Sequence, residues 1–341
     1  MFSSRDLYVV ILAGDEDPRL APLTDALSGK AVPRQFAFIA GDGSLLQQTV
    51  ESYAAIVPPK RIVVVVSNAY EDLARTQLRP WRGICILPRP LDQGPAVDLL
   101  FALGKVVTHA LGATVIVAPA HHYIPGANLL VGSLVAAEPA LASIPVIVAG
   151  AAMNGANVGD RLLVPGPRLD ERILSVSKLV EHASPAHAKR LKASGALWDT
   201  STFMARATEL WKMLARELPT EAAIVASLWS GEMETLDSVA TAFRHMPGMR
   251  LNGTLWPKPR ELGVIPVRGS GWSAWNSPEQ VMDSLRDPND LERLLSRIYQ
   301  QQQGIDQAQL RRQFRAEARQ RDVPPSCMVR ERQSIVQAER T

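Results

Sequence analysis

Arg61-Ile62-Val63-Val64-Val65-Val66-Ser67 is the stretch on which the architecture turns. Four consecutive valines are β-branched and favour extended backbone, and a strand without polar alternation has both faces buried. Helices packed on each side of a parallel sheet supply that cover. The flanking segments fit this reading. Upstream, Tyr8 to Ala13 is another β-rich apolar run, closed by Gly14, and Leu45 to Ile56 carries apolar residues at helical spacing. Downstream, Glu71 to Leu78 reads as a short helix and Ile84 to Leu87 as a short strand. Ala96 to Ala110 is an apolar helix opened by Pro95, and Thr114 to Pro119 is another buried strand. Leu129 to Glu138 is helical, and Pro145 to Gly150 is again a strand. Strand and helix alternate, which predicts an α/β fold with a doubly wound, mostly parallel sheet.

The pattern changes after Ala151. Gly, Asn and Pro cluster between Asn154 and Pro167, predicting loops around a short strand. Ile173 to Glu181 reads as a strand, Ala186 to Ser194 as a helix, Trp198 to Ala205 as strand or loop, and Thr208 to Leu218 as a helix. Leu262 to Pro266 is a late strand before the turn Gly269-Ser270-Gly271. From Asp287 onward the sequence is helical and polar, through Gln300 to Gln303 and the arginine-rich Leu310 to Gln320, until Pro324 and Pro325. The predicted division is a main domain over 1–286, with halves 1–150 and 151–286, and a helical, arginine-rich tail over 287–341.

Composition narrows the function classes. The 341 residues are 46% hydrophobic and 21% charged, a globular balance that rules out global disorder and suits a sizeable core. A net charge of +3, from 37 basic and 34 acidic residues, is too even for a nucleic-acid binder. Acids are interspersed among the tail arginines and aromatics are nearly absent there, so that segment reads as a solvated or domain-docking helix. Cys85 and Cys327 give neither a disulfide framework nor a zinc spacing, and a reducing cytoplasm is the expectation. Leu7 to Gly14 is far shorter than the roughly 20 apolar residues of a membrane span. Asp15, Glu16 and Asp17 stand where a signal peptide would carry small residues, so the run reads as a buried strand and no membrane is expected.

The first strand leads into a polar loop and Arg19-Leu20-Ala21-Pro22-Leu23-Thr24, where backbone N–H groups can face phosphate. Pro33-Arg34-Gln35-Phe36 follows, then Gly43-Ser44-Leu45-Leu46-Gln47-Gln48-Thr49. These segments resemble the sugar-phosphate nucleotidyltransferases, most closely the mannose-1-phosphate guanylyltransferases. The resemblance continues in order. Pro88 to Ala96 is similar to the family's base-binding segment, and Val115 to His122 ends in Pro-Ala-His-His where the family has Pro-Ala-Asp-His. Leu179-Val180-Glu181-His182, Gly195 to Ser201 and Gly271-Trp272-Ser273-Ala274 match later segments, so the likeness runs from about Leu7 to about Leu285.

The resemblance implies a Rossmann-like nucleotidyltransferase domain. Its 1–150 half would bind nucleotide, its 151–286 half would form a smaller sugar-binding lobe, and the helical tail would follow. It implies GTP or another nucleoside triphosphate and a sugar 1-phosphate as partners, with pyrophosphate released and a homo-oligomer as a further expectation. Arg19 and Arg34 would be catalytic, neutralising phosphate charge. Leu12, Ala13, Gly14, Gln93, Gly94 and Pro95 would bind the nucleotide. Glu181 and Asp199 would hold the sugar. Mg²⁺ is the cofactor the resemblance implies, at positions 121 and 274.

Several positions depart from the pattern. The phosphate loop lacks a second glycine and reads Gly14-Asp15-Glu16-Asp17-Pro18-Arg19. Like charges there oppose a triphosphate. Arg34 replaces a lysine, Asp199 an asparagine, and His182 a lysine, and the family's Gly-Tyr-Gly run has no counterpart in Asn154 to Leu163. His121 and Ala274 replace the two metal-binding aspartates; neutral imidazole is a poor Mg²⁺ ligand and alanine is none. His121 and His122 are adjacent at a strand end and are expected to point opposite ways. Trp198 and Trp272 are expected to pack beneath the sugar pocket. Two readings follow: a nucleotidyltransferase with an altered metal site, or a catalytically degenerate relative that binds a nucleotide, sugar nucleotide or protein partner.

Overall fold

The computed structural model of the chain describes residues 6–14, 18–89, 91–153, 161–181, 183–230, 240–241, 243–244, 261–285 and 288–302. The acidic run Asp15 to Asp17, residues 154–160, His182, Cys327 and everything from Gln303 onward lie outside them, including the expected helix Leu310 to Gln320.

The first half alternates as the sequence predicts. Strand β1 (Leu7–Ala13) is followed by a 3-10 turn (Pro18–Leu20), α1 (Ala21–Ser28) and α2 (Leu45–Ala54). Then come β2 (Ile62–Ser67), α3 (Glu71–Leu78), β3 (Cys85–Arg89), α4 (Pro95–His109), β4 (Thr114–Pro119), α5 (Ala127–Ala136) and β5 (Val146–Ala152). The second half adds β6 (Leu162–Arg168), β7 (Leu174–Val180), α6 (Pro185–Ala193), β8 (Leu197–Arg206), α7 (Ala207–Glu217) and α8 (Pro219–Trp229). It ends with β9 (Leu262–Val267), α9 (Pro278–Ser284) and α10 (Pro288–Gln302).

The strands form one nine-stranded sheet in the order β3-β2-β1-β4-β8-β5-β9-β7-β6. The valine run lies at its parallel end, with Ile11 opposite Val64 and Val64 opposite Ile86. Ile62 to Val66 are all buried. The sheet as a whole corrects the expectation of a mostly parallel one. Pairings β1–β2, β1–β4, β2–β3 and β5–β9 are parallel, but β4–β8, β5–β8, β6–β7, β6–β8 and β7–β9 are antiparallel. The reason is that β8, which enters the centre of the sheet between β4 and β5, and β7, beside β9, run in the opposite direction.

Helices cover both faces. On one, α4, α7 and α8 bury Leu99, Leu100, Leu103, Leu210 and Val225 against Val10, Val65 and Val117. On the other, α2, α3 and α5 bury Leu46, Val50, Leu78 and Leu130 against Ile11, Val64 and Ile116. A third cluster ties the C-terminal helices to the N-terminal segment: Leu20, Leu27, Ile39 and Leu45 pack with Trp275, Val281 and Leu294. A fourth, at the β6–β7 end, contains Met153, Leu162, Val180, Trp198 and Trp272.

Local chemistry sets the helix starts. Ser44 and Gln47 form a reciprocal capping box on α2, with Ser44 N–H donating to Gln47 Oε1 at 3.0 Å. Gly94, before α4, has φ +90°, a backbone that favours glycine, and its N–H donates to Asp92 Oδ1 at 3.0 Å. No helix among the described residues is long and apolar enough to cross a membrane.

Candidate functional site

The strand order reverses beside β1. From β1 the chain moves outward through β2 to β3, whereas β4 returns to the other side of β1. In open α/β sheets ligands bind outside the carboxyl ends of the strands at such a switch point. Here those ends are Leu12-Ala13-Gly14 and Pro119-Ala120-His121. The turns are pinned by Ala120 N–H donating to Leu12 O at 2.9 Å and Gln35 Nε2 donating to Ala13 O at 2.8 Å.

Arg19 and Arg34, 15 residues apart in sequence, meet on one side chain. Arg34 Nη1 donates to Asn276 Oδ1 at 3.0 Å, and Arg19 Nη2 reaches the same oxygen at 3.5 Å. Arg19 is exposed. Arg34 is only 5% exposed, and its Nη1 also donates to the carbonyls of Trp275 (2.7 Å) and Ala274 (3.2 Å). Burial and three acceptors make Arg34 a brace for the turn at 274–276. That turn is costly in backbone terms, because Trp275 has φ +51°, a region bulky side chains avoid. The Trp275 side chain is fully buried, stacked on Tyr123 with ring centroids 4.4 Å apart.

Beneath Gly14 lies a buried ion pair that the sequence reading passed over. Arg89 Nε stands 3.3 Å from Asp98 Oδ2, and Arg89 Nη2 donates to the Gly14 carbonyl. Asp92, exposed, takes Arg89 Nη1 at 2.8 Å. A Cβ at position 14 would stand 2.6 Å from Arg89 Nε and 2.7 Å from Asp98 Oδ2, so the pair fits only against a glycine. Burial pushes the Asp98 carboxyl up to about 7, opposed by the Arg89 charge. The remaining residues expected to bind nucleotide flank this pair. Gln93 Nε2 donates to Phe243 O at 3.1 Å, and Gly94 and Pro95 open α4.

The segments that carry the two positions implied for a metal pair with each other. Tyr123 and Ser273 form an antiparallel bridge, with Tyr123 N–H to Ser273 O at 3.0 Å and Ser273 N–H to Tyr123 O at 2.9 Å. The bridge sets the His121-His122 turn alongside the segment that ends in Ala274. The histidine rings do not diverge as expected: His121 and His122 lie edge to face with centroids 4.5 Å apart. His122 Nδ1 is 3.0 Å from Thr200 O and 3.2 Å from Trp272 Nε1. The first contact needs a proton on Nδ1 and the second needs a lone pair, so one tautomer serves one partner. The donor set does not fit Mg²⁺. It offers imidazole and a methyl group where a hard cation needs carboxylate oxygens, and Arg34 stands against the Ala274 carbonyl. Among the described residues, no three His, Cys, Asp or Glu side chains gather as a cation site.

Glu181 and Asp199 also converge, through a residue the sequence reading missed. Arg161 Nε binds Asp199 Oδ2 at 2.6 Å, and Arg161 Nη1 lies 3.5 Å from Glu181 Oε1. The other Asp199 oxygen accepts the Ser201 N–H at 2.8 Å. Both Asp199 oxygens are thus engaged and its side chain is wholly buried, while Glu181 is 40% exposed. Ser201 has φ +52°; it and Trp275 are the two described non-glycine residues with left-handed backbone, and both lie at this site. Trp198 and Trp272 are both buried, with centroids 6.5 Å apart. Arg161, Asn276 and Arg89 carried no short-range pattern in the sequence. Asp98 did leave one trace, a lone charge inside the apolar run of α4.

No protein-family model matches the chain. Its relatives include the alginate biosynthesis protein AlgA of Pseudomonas syringae pv. tomato, 25% identical over 287 residues, covering 80% of this chain and 57% of AlgA. They also include the xanthan biosynthesis protein XanB of Xanthomonas campestris pv. campestris, 23% identical over 286 residues, covering 82% and 59%. A mannose-1-phosphate guanylyltransferase of Klebsiella pneumoniae is 24% identical over 219 residues, covering 62% and 45%. The chain therefore spans somewhat more than half the length of its AlgA and XanB relatives. Among solved structures, a mannose-1-phosphate geranyltransferase from Thermus thermophilus superposes with a TM-score of 0.68 at 22% identity, covering 83% of this chain and 80% of that one. That likeness speaks to the fold. The names of these relatives agree with the motifs and their order: the chain is similar to the sugar-phosphate nucleotidyltransferases.

Proposed function

We propose that the chain transfers a nucleoside monophosphate, GMP from GTP, to a sugar 1-phosphate, mannose 1-phosphate, and releases pyrophosphate. The observation that carries this reading is the convergence of Arg19 and Arg34 on Asn276 beside the switch point of the sheet. In the reaction an oxygen of the sugar phosphate forms a bond to the α-phosphorus as the bond to the pyrophosphate oxygen breaks. Such chemistry rests on positioning and charge stabilisation. Leu12, Ala13 and Gly14 would present backbone to the nucleotide, and Gln93, Gly94 and Pro95 would hold the base. Arg19, exposed, would meet the phosphates, with Arg34 behind it. Glu181 would accept sugar hydroxyls, and Asp199 would orient Arg161 at the same subsite. Residues 1–150 would thus serve the nucleotide and 151–286 the sugar, in a cytoplasmic protein that acts as a homo-oligomer.

A second reading, binding without turnover, has its own support. Arg161 ties up both sugar-side carboxylates, and Ala274 brings no carboxylate to the phosphate side. Pyrophosphate release from GTP and mannose 1-phosphate, in Mg²⁺ and in Mn²⁺, separates the two. Turnover well above a no-enzyme blank supports transfer. No wild-type turnover, with activity gained by the His121→Asp/Ala274→Asp variant, supports binding alone.

A further inference from the structure

The implied cation and the residues present disagree, and what stands in place of the missing carboxylates is ordered. At position 274 the chain offers only a backbone carbonyl, and that carbonyl accepts from Arg34 Nη1 at 3.2 Å. The same nitrogen fixes Trp275 O and Asn276 Oδ1. Trp275 is held in left-handed backbone while fully buried, so the turn is kept in a strained form by its surroundings. Those surroundings are specific. Tyr123 stacks on the indole, Trp275 Nε1 donates to Ser284 Oγ at 2.5 Å, and Asn276 N–H donates to Gln280 Oε1 at 2.7 Å. The result of this bracing is the direction of one carboxamide. Asn276 Oδ1 receives buried Arg34 from one side and exposed Arg19 from the other. A neutral acceptor orients guanidinium groups without cancelling their charge, whereas a carboxylate there would cancel it.

We infer that the phosphates of a nucleoside triphosphate are met at the switch point by Arg19, positioned through Asn276 and Arg34, and that this binding does not require a divalent cation. The inference rests on the proposed nucleotide-binding role. Arg19 is the group that would touch phosphate. Asn276 and Arg34 are positioning residues.

The test is calorimetric titration of the full chain with GTP and, separately, with tripolyphosphate, each in EDTA and in excess Mg²⁺. Both ligands are expected to bind in EDTA, with GTP affinity there within about threefold of that in Mg²⁺. Arg19→Ala is expected to weaken both about tenfold or more, as loss of a charge-assisted contact does. Asn276→Asp separates positioning from mere folding. A carboxylate between two guanidinium groups should raise the thermal midpoint while weakening tripolyphosphate, and a purely structural Asn276 would move both in the same direction. Binding of both ligands in Mg²⁺ with none in EDTA would overturn the inference and leave the nucleotidyltransferase reading standing. Tripolyphosphate bound in EDTA without GTP would support the anion site and remove the nucleotide role. Failure of both ligands in both buffers would remove both.

Discussion

Asp98 is a carboxyl inside an apolar helix, 4% exposed, and its cationic partner Arg89 is itself buried. Its folded value of about 7 lies above the ordinary 3.8 because burial penalises the ionised form more than Arg89 favours it. The sign follows. Between these two values the folded chain keeps a proton that the unfolded chain has lost. Stability contributed by this group therefore falls as pH rises through the window, by up to about 1.4 kcal/mol per unit, and levels off above pH 7. Asp98→Asn should flatten that part of the stability profile, measured by urea unfolding at several pH values from 4 to 8. Identical slopes in the two proteins would remove Asp98 as the titrating group. A second pair invites a different test. Arg161→Ala leaves the Asp199 carboxylate buried without its partner, a change expected to cost about 3–5 kcal/mol. Arg161→Ala/Asp199→Asn removes both charges and should recover most of that loss in chemical denaturation. Equal losses in the single and double variants would mean that Arg161 stabilises by packing and not by charge. Neither the Arg161–Asp199 pair nor the Arg34–Asn276 contact was legible in the sequence, because the partners lie 38 and 242 residues apart. No local spacing rule reaches across such distances.

At the scale of elements, legibility followed burial pattern. The valine run of β2 and the apolar strands β1 and β4 could be read because strands buried on both faces have continuous apolar sequence. Helix α8 could not, since its sequence Pro-Thr-Glu-Ala-Ala-Ile-Val-Ala-Ser-Leu-Trp is apolar on more than one side and shows no clean period. Helix α1 was hidden by Pro22, which sits in its first turn, where proline is tolerated. The direction of β8 was equally silent, because the composition of a strand reads the same in either sense. Two glycines show how packing overrides propensity. Gly104 in α4 lies under the α8 indole: an added Cβ would stand 2.3 Å from Trp229 Cδ1. Trp229 Nε1 also donates to Phe101 O at 2.9 Å, so the ring cannot withdraw without losing that bond. Gly132 in α5 has open space where its Cβ would be. Alanine is favoured over glycine in a helix by about 1 kcal/mol. Gly132→Ala should therefore stabilise by roughly 0.5–1 kcal/mol, and Gly104→Ala should destabilise by about 1–3 kcal/mol through overpacking. Thermal or urea unfolding of both variants checks the pair, and a stabilised Gly104→Ala would show that α8 can shift away.

For the whole molecule, the consequential feature is where the last described helix goes. The sequence predicted a polar helix after Asp287 but no docking site for it. α10 returns to the N-terminal segment and packs Leu294 with Leu20, Leu27, Ile39 and Leu45. Arg297 fastens it there, Nη1 donating to Phe38 O at 2.8 Å and Nη2 to Gly41 O at 2.6 Å. The segment so gripped runs from Arg19 through Arg34 to the start of α2, and it carries both arginines proposed to serve the phosphates. Trp275 belongs to the same cluster as Leu294, so the turn that aims Asn276 shares its packing with the helix. Loosening α10 should consequently be felt at a site it does not line. Leu294→Ala is expected to cost about 2–5 kcal/mol by cavity formation, and Arg297→Ala about 1–3 kcal/mol by leaving two carbonyls without their donor. The link to the site is tested under conditions where each variant remains folded by circular dichroism. Tripolyphosphate affinity in EDTA should then drop in both, and the drop should vanish against the Arg19→Ala background, where the group that α10 helps to place is already gone. Additive losses in the double variants would mean that α10 stabilises the fold without bearing on the phosphate side.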